Sequence, residues 1–193
     1  MEANTLFPVF LKAEELQILI VGGGKVGTEK LYFLLKSSPQ ALVTILSESF
    51  SGEMDDLIRE AGALYVRKIR KTFEPTDVQG FHLVIAATGE ETVNEDIMEA
   101  CHAHQVLINV ADDPGKCDFY LGSIVTRGNL KIGISTNGKS PTLAKRMREF
   151  LEDLLPEEID ELALHLHHYR NSLVCDFHDK VHNLNQLTKA LLR

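Results

Sequence analysis

The chain has 193 residues, 44% hydrophobic and 25% charged, the proportions of an ordinary globular protein able to bury a real core. A formal net charge of −8 argues against a general nucleic-acid binder, which carries a basic excess, but not against a protein that holds an anionic small molecule through local charge. Three cysteines with no C-x-x-C pair point to reduced thiols in the cytoplasm; the N-terminus lacks the basic region of a secretory signal, and no apolar run approaches the ~20 residues of a membrane span.

In chain order, Leu6 to Leu11 is a short apolar lead-in, expected to tuck against a sheet edge because Pro8 bars a central strand. Leu16 to Val21 is almost wholly apolar and rich in β-branched residues, as a strand buried on both faces requires. Gly22, Gly23, Gly24, Lys25, Val26 and Gly27 follow. Val26 to Lys36 reads as a helix stopped by Ser37-Ser38-Pro39. Ala41 to Leu46 is a second strand, Glu53 to Ala61 an amphipathic helix ended by Gly62, and Leu64 to Ile69 a third strand. Phe81 to Ala87 is a fourth strand, Thr92 to His104 a helix, and Val106 to Val110 a fifth strand. This alternation predicts an α/β fold of Rossmann type, a doubly wound and mainly parallel sheet, over residues 1–113.

The pattern then changes. Phe119 to Thr126 and Leu130 to Ser135 are β-rich runs joined by the hairpin signal Arg127-Gly128-Asn129. Ser140-Pro141 resembles an N-cap with proline at the first helical position, and that helix runs to Leu155 before Pro156. Residues 114–150 thus form a small β-hairpin/helix module, too small to bury itself alone. Residues 151–193 form a helical C-terminal region. Its apolar positions run on to Leu184, Leu187 and Leu191 without a glycine or proline after Pro156.

Gly22, Gly24 and Gly27 keep the G-x-G-x-x-G spacing between a strand and a helix. The first permits a tight turn, the second lets a pyrophosphate approach the backbone, and the third lets helix and strand pack closely. The helix N-terminus then favours the phosphates. A plain glycine-rich turn is the alternative. Glu48, about 20 positions past the glycines, stands where a carboxylate would hold the adenine ribose and favour NAD over its 2′-phosphorylated form; an exposed loop acid is equally consistent. Ala87-Thr88-Gly89 closes the fourth strand at the sheet's carboxyl edge, where such folds bind ligands. Asn109-Val110-Ala111-Asp112-Asp113-Pro114 closes the fifth, and a carboxylate there suits a general base as readily as it suits a turn cap before proline.

Leu6-Phe7-Pro8, the glycine turn, Ala86-Ala87-Thr88, Asn109 to Asp113 with Cys117-Asp118-Phe119, and Ser135 to Ala144 together resemble the precorrin-2 dehydrogenase/sirohydrochlorin ferrochelatase family, the N-terminal module of siroheme synthases. The resemblance spans about Leu6 to Pro156 and implies a stand-alone form. It implies NAD-dependent oxidation of precorrin-2 to sirohydrochlorin, with ferrous iron inserted by some members to give siroheme, and a homodimer. Within it the essential aspartate falls on Asp113, and the cofactor segments fall on Lys25-Val26 and Glu48-Ser49. A serine that is modified in some members is Thr136 here, so that property does not carry over. Gly122 stands where many members have proline.

A polycarboxylate tetrapyrrole on an acidic protein calls for local cations. Lys139, Lys145, Arg146 and Arg148 are the densest cluster, with Asn109 as a further contact; a solvated helix face is the alternative. His165, His167 and His168 are close in sequence, and His178 and His182, one helical turn apart, have a spacing that could share a metal. No Cys or Glu accompanies them at diagnostic spacing, a solvated or interface role is the alternative, and no metal site is assigned. No nucleic-acid or membrane partner is expected. The reading from a different class is a non-catalytic NAD-binding regulator or redox sensor.

Overall fold

The protein is described here by a computed structural model covering residues 3–189. It divides into two compact units. One runs to Gly122 and takes in Ser135–Ser140; the other comprises Ser123–Ile134 and the chain from Pro141 onward.

In the first unit five parallel strands, β1 (Gln17–Val21), β2 (Leu42–Ser47), β3 (Val66–Arg70), β4 (Leu83–Ala86) and β5 (Leu107–Val110), lie in the order β3-β2-β1-β4-β5. The intervening helices are α1 (Lys25–Ser37), α2 (Gly52–Glu60) and α3 (Glu91–His104). Alternation along the central strands builds two cores. Ile18, Ile20, Val43, Ile45 and Ile85 face Leu31 and Leu35 of α1 and Met54 of α2. Leu19, Val21, Val84 and Ile108 face Ile97, Ala100 and Cys101 of α3. Each fully buried aliphatic side chain contributes about 1.5–3 kcal/mol, so the central strands anchor the unit. The doubly wound parallel sheet expected from the sequence is present.

Local chemistry sets the ends of the elements. Ser51 caps α2 by accepting the Met54 N–H at 3.2 Å. Gln105 ends α3 in a left-handed conformation, φ 57°, a position where glycine is commoner. The chain reverses its winding between β1 and β4, so the switch point of the sheet lies between those neighbours.

Several local expectations change. The lead-in does not tuck against the sheet: Phe7 and Phe10 are exposed, and Ala13 is the residue that docks, its carbonyl accepting the Leu42 N–H. The third strand starts at Val66, with Leu64 and Tyr65 exposed before it. Residues 119–122 are not a strand. Asp118 is tied back to β5, its N–H donating to the Ile108 carbonyl at 2.8 Å and its carboxylate accepting the Ile108 N–H at 3.0 Å, which diverts the chain before a ladder can start.

In the second unit β6 (Ser123–Arg127) and β7 (Leu130–Ile134) pair antiparallel across a two-residue turn at Gly128-Asn129, as the hairpin signal requires. Asp160 fastens that turn, accepting the Asn129 backbone N–H at 2.6 Å and its side-chain amide at 2.8 Å. The helix α4 (Pro141–Leu154) follows. The expected helical tail is present, as two helices, α5 (Ile159–Ser172) and α6 (Phe177–Thr188). Leu173 turns extended, and Asp176 caps α6 by accepting the Asp179 N–H at 2.9 Å, so the break is made by a cap without any glycine or proline. Leu191 lies outside the described residues.

Candidate active site

Register brings three loops to one level. Val21, Ala86 and Val110 are hydrogen-bonded neighbours at the ends of β1, β4 and β5, so Gly22, Ala87 and Ala111 leave the sheet side by side. Two strand spacings, about 10 Å, span that row. The glycine turn, the Thr88 turn and the acid pair therefore share the carboxyl edge at the switch point.

The glycines are required for separate reasons. Gly22 has φ +123°, and a Cβ there would strike the Ala87 carbonyl. A Cβ on Gly27 would strike the Gly22 carbonyl, so the buried start of α1 presses directly on the turn. Gly23 lies against the Ser49 carbonyl, and the Ser51 N–H donates to the Gly23 carbonyl at 2.9 Å. Gly24 differs: a Cβ there would project into open space. The first i→i−4 bond of α1 is Thr28 N–H to the Gly24 carbonyl, which leaves the amides of Lys25, Val26 and Gly27 ahead of it. No side chain caps this end and no acidic residue lies in its first turn. An open glycine beneath free amides at a positive helix end fits the pyrophosphate of a dinucleotide.

Glu48 directly follows β2. Its carboxylate accepts the Thr72 hydroxyl at 3.0 Å, which orients it at the carboxyl end of β2 beside the exposed Ser49. Arg70, at the end of β3, is in register with Ser47. The Thr88 hydroxyl donates to Asn94 Oδ1 at 2.6 Å and lies 3.0 Å from the Glu90 carbonyl, so it serves the start of α3. Asn94 is a residue sequence reasoning missed, because nothing in its spacing marks it.

The acid pair is divided by geometry. Asp113 caps a short 3-10 turn, Pro114–Lys116: one carboxylate oxygen accepts the Gly115 N–H at 3.1 Å and the other lies 3.3 Å from Lys116 Nζ. Asp112 is exposed, holds the left-handed region at φ 64°, and has no hydrogen-bond or ion-pair partner among the described residues. Asn109 is 7% exposed, and its amide donates to the Phe119 carbonyl at 2.8 Å and to Cys117 Sγ, so it secures the loop from beneath. Cys117 accepts the Val110 N–H at 3.2 Å, and burial pushes its thiol above the ordinary cysteine value.

Of the expected cations, Lys139 stays in the first unit. Its loop passes the acids, for a Cβ on Gly138 would lie 3.6 Å from Pro114. Lys145, Arg146 and Arg148 are on α4 in the second unit. Arg146 pairs with Glu149 at 2.8 Å, and Arg148 with Glu152 at 2.5 Å, so two of the three charges are answered on their own helix. A cleft of about 470 Å³ opens at the opposite, amino edge of the sheet, between His82, Leu107 and Leu11, away from these groups.

A family model described as putative NAD(P)-binding matches residues 9–123. The chain belongs to that family. The sirohaem biosynthesis protein central model matches residues 127–154. The siroheme synthase of Methylococcus capsulatus is 38% identical over 156 residues, 81% of this chain and 32% of that protein. That of Psychrobacter cryohalolentis is 40% identical over 158 residues, 81% of this chain and 29% of that protein. The chain thus spans about a third of the length of these relatives. Among solved structures, SirC, precorrin-2 dehydrogenase, superposes with a TM-score of 0.74 at 24% identity, covering 94% of this chain and 89% of that one, which shows the shared fold. The glycine turn at Gly22 to Gly27 lies inside the matched NAD(P)-binding region. No helix among the described residues is long and apolar enough to cross a membrane.

Proposed function

We propose that this chain oxidises precorrin-2 to sirohydrochlorin with NAD as hydride acceptor, in the cytoplasm. The observation that carries the reading is the placement of two acids on the same sheet edge as the dinucleotide cradle, two strands away. The similarity to siroheme synthases over 81% of the chain supports the substrate class.

The amides of Lys25, Val26 and Gly27 would hold the pyrophosphate, and Glu48 the adenine ribose. Bound there, the dinucleotide supplies a two-electron acceptor for a hydride. Loss of that hydride leaves a proton to be removed from the macrocycle, and a strand-end carboxylate takes it. Asp113 is the residue implied by the family resemblance, but both its oxygens are engaged by Gly115 and Lys116. That observation favours a division in which Asp112 receives the proton and Asp113 holds the turn. Ferrous iron insertion is a second substrate reaction on the same edge, where a carboxylate accepts the displaced pyrrolic protons. Lys139, in the same unit as the acids, offers a contact for the substrate carboxylates. The homodimer is supported by an exposed apolar stripe on α4, Leu143, Met147, Phe150 and Leu154, spaced three and four apart on one helix face.

The test is NADH absorbance on mixing the protein, NAD and precorrin-2. Turnover is expected, with Asp112→Asn lowering kcat by about 10²-fold or more, the contribution of a general base, while NADH affinity holds. Asp113→Asn is expected to lower it less. No NADH from a protein that binds the dinucleotide refutes the enzyme and leaves a binding module. Sirohydrochlorin consumption with ferrous iron, measured against a protein-free control, tests chelation. For cofactor choice, Glu48→Gln removes the charge that opposes a 2′-phosphate and leaves Arg70 nearby, so the ratio of NADH to NADPH affinity is expected to fall about tenfold or more. An unchanged ratio removes Glu48 from that role.

A further inference from the structure

Lys116 sits in the turn after Asp113, and its side chain is 24% exposed. Three carboxylates surround its ammonium: Glu95 at 2.7 Å, Asp113 at 3.3 Å and Glu91 at 3.5 Å. Glu91 and Glu95 belong to the first turns of α3, which grows out of the Thr88 loop after β4. Asp113 closes β5. One side chain therefore ties together the two loops that flank the nicotinamide half of the sheet edge.

We propose that Lys116 is the positioning residue of the strand-end acids, a clamp that fixes Asp113 against α3 and so holds the left-handed turn that presents Asp112. The inference rests on the reading that these acids serve the oxidation. A non-glycine residue in the left-handed region costs about 1–2 kcal/mol and persists only where its surroundings over-determine it. Here the restraints are countable. Gly115 N–H holds one oxygen of Asp113, Lys116 holds the other, and the Cys117 thiol donates to the Asp113 carbonyl at 3.2 Å. Asp112 itself contributes nothing to its own restraint, so its geometry is inherited from its neighbour.

The clamp also carries the charge balance. Glu91, Glu95, Asp112 and Asp113 crowd one patch. Cys117 and Asp118 lie downstream of it, and the Lys30 charge partly offsets the rise in the Cys117 thiol. Lys116 is the cation that pairs with three of these acids. The hydrogen bond with Glu95 holds its ammonium well above the ordinary lysine value, so it stays charged throughout the working pH range. Removing it leaves Glu91, Glu95 and Asp113 without their shared cation and lets the turn relax. The effect belongs to the site more than to global stability, because partly exposed ion pairs add little to folding.

The experiment compares Lys116→Met, Lys116→Arg and Glu95→Gln with the wild type, by precorrin-2-dependent NADH formation and by direct NADH binding through nicotinamide fluorescence. Lys116→Met is expected to lower kcat about tenfold or more, with KM for precorrin-2 and NADH affinity within about twofold of wild type. Lys116→Arg restores most of kcat, and Glu95→Gln falls between. Wild-type kcat in Lys116→Met overturns the proposal. If that variant does not fold, wild-type behaviour of Glu95→Gln overturns it instead. An equal loss of NADH binding in Lys116→Met also counts against it, because a general collapse of the edge is then the cause. Full turnover in both Asp112→Asn and Asp113→Asn refutes the strand-end acid reading itself. A normal Lys116→Met beside an inactive aspartate variant refutes only the clamp.

Discussion

Gly22 and Gly24 belong to one motif but answer to different forces. Gly22 is held at φ +123° with its α-carbon against the Ala87 carbonyl, so a methyl group there strains the backbone and collides with β4. Gly24 faces open space, so its methyl group meets nothing in the protein. Gly22→Ala is expected to lower the melting temperature by several degrees, the consequence of a loss of about 1–3 kcal/mol. Gly24→Ala is expected to melt close to wild type and, on the proposed function, to bind NADH at least about tenfold more weakly, because the methyl would fill space the proposed pyrophosphate needs. Calorimetry and NADH fluorescence on the two variants separate the cases; equal melting losses in both contradict this assignment. The motif spacing is written in the sequence. Which glycine serves the fold and which the ligand depends on the neighbouring strand.

Among elements, the turn of the β6–β7 hairpin shows how a local signal acquires a long-range fastening. Gly128-Asn129 announces the hairpin by composition alone, while its partner, Asp160 of α5, is some thirty residues away and nothing in spacing reveals it. Hydrogen bonds from the Asn129 backbone and side chain hold the Asp160 carboxyl below the usual carboxylate range. A carboxyl lowered in the folded state adds stability above its unfolded value, near pH 4, and loses it as pH falls through the lower folded value. Asp160→Asn is therefore expected to unfold earlier in urea at pH 7 and to converge on wild type near pH 2; an equal difference at both pH values contradicts the assignment. The β-rich run at 119–126 shows the opposite case. Its composition suits a strand, but Asp118 returns to Ile108, the Phe119 carbonyl accepts the Asn109 amide, and the ladder starts only at Ser123. The helical tail likewise looks continuous in composition, and the cap at Asp176 divides it.

For the whole molecule, the exposed stripe on α4 is the feature a monomer leaves unexplained, since several large apolar side chains in one row are costly to keep in water. In the proposed homodimer that stripe is covered. Phe150→Asp is expected to shift the sedimenting species from dimer to monomer at micromolar concentration while the NADH-binding unit stays folded; a wild-type protein that sediments as a monomer removes the dimer from the reading.

The sequence by itself determined the parallel alternating sheet, the glycine turn after its first strand and the hairpin. These follow from short-range rules: apolar runs, glycine spacing and turn residues act within a few positions of one another. Only the tertiary structure decided which groups at the carboxyl edge of the sheet are available. Asn109 and Thr88 look like ligands in the sequence, and the fold gives them hydrogen-bond partners at Phe119, Cys117, Asn94 and Glu90. Asp113, the residue singled out by resemblance, has both oxygens engaged, while Asp112 next to it has no partner among the described residues. Lys116 carries no motif, and its importance appears only when α3 folds Glu91 and Glu95 against it. Availability of a side chain is a property of everything packed around it, and packing joins positions that the linear order keeps apart.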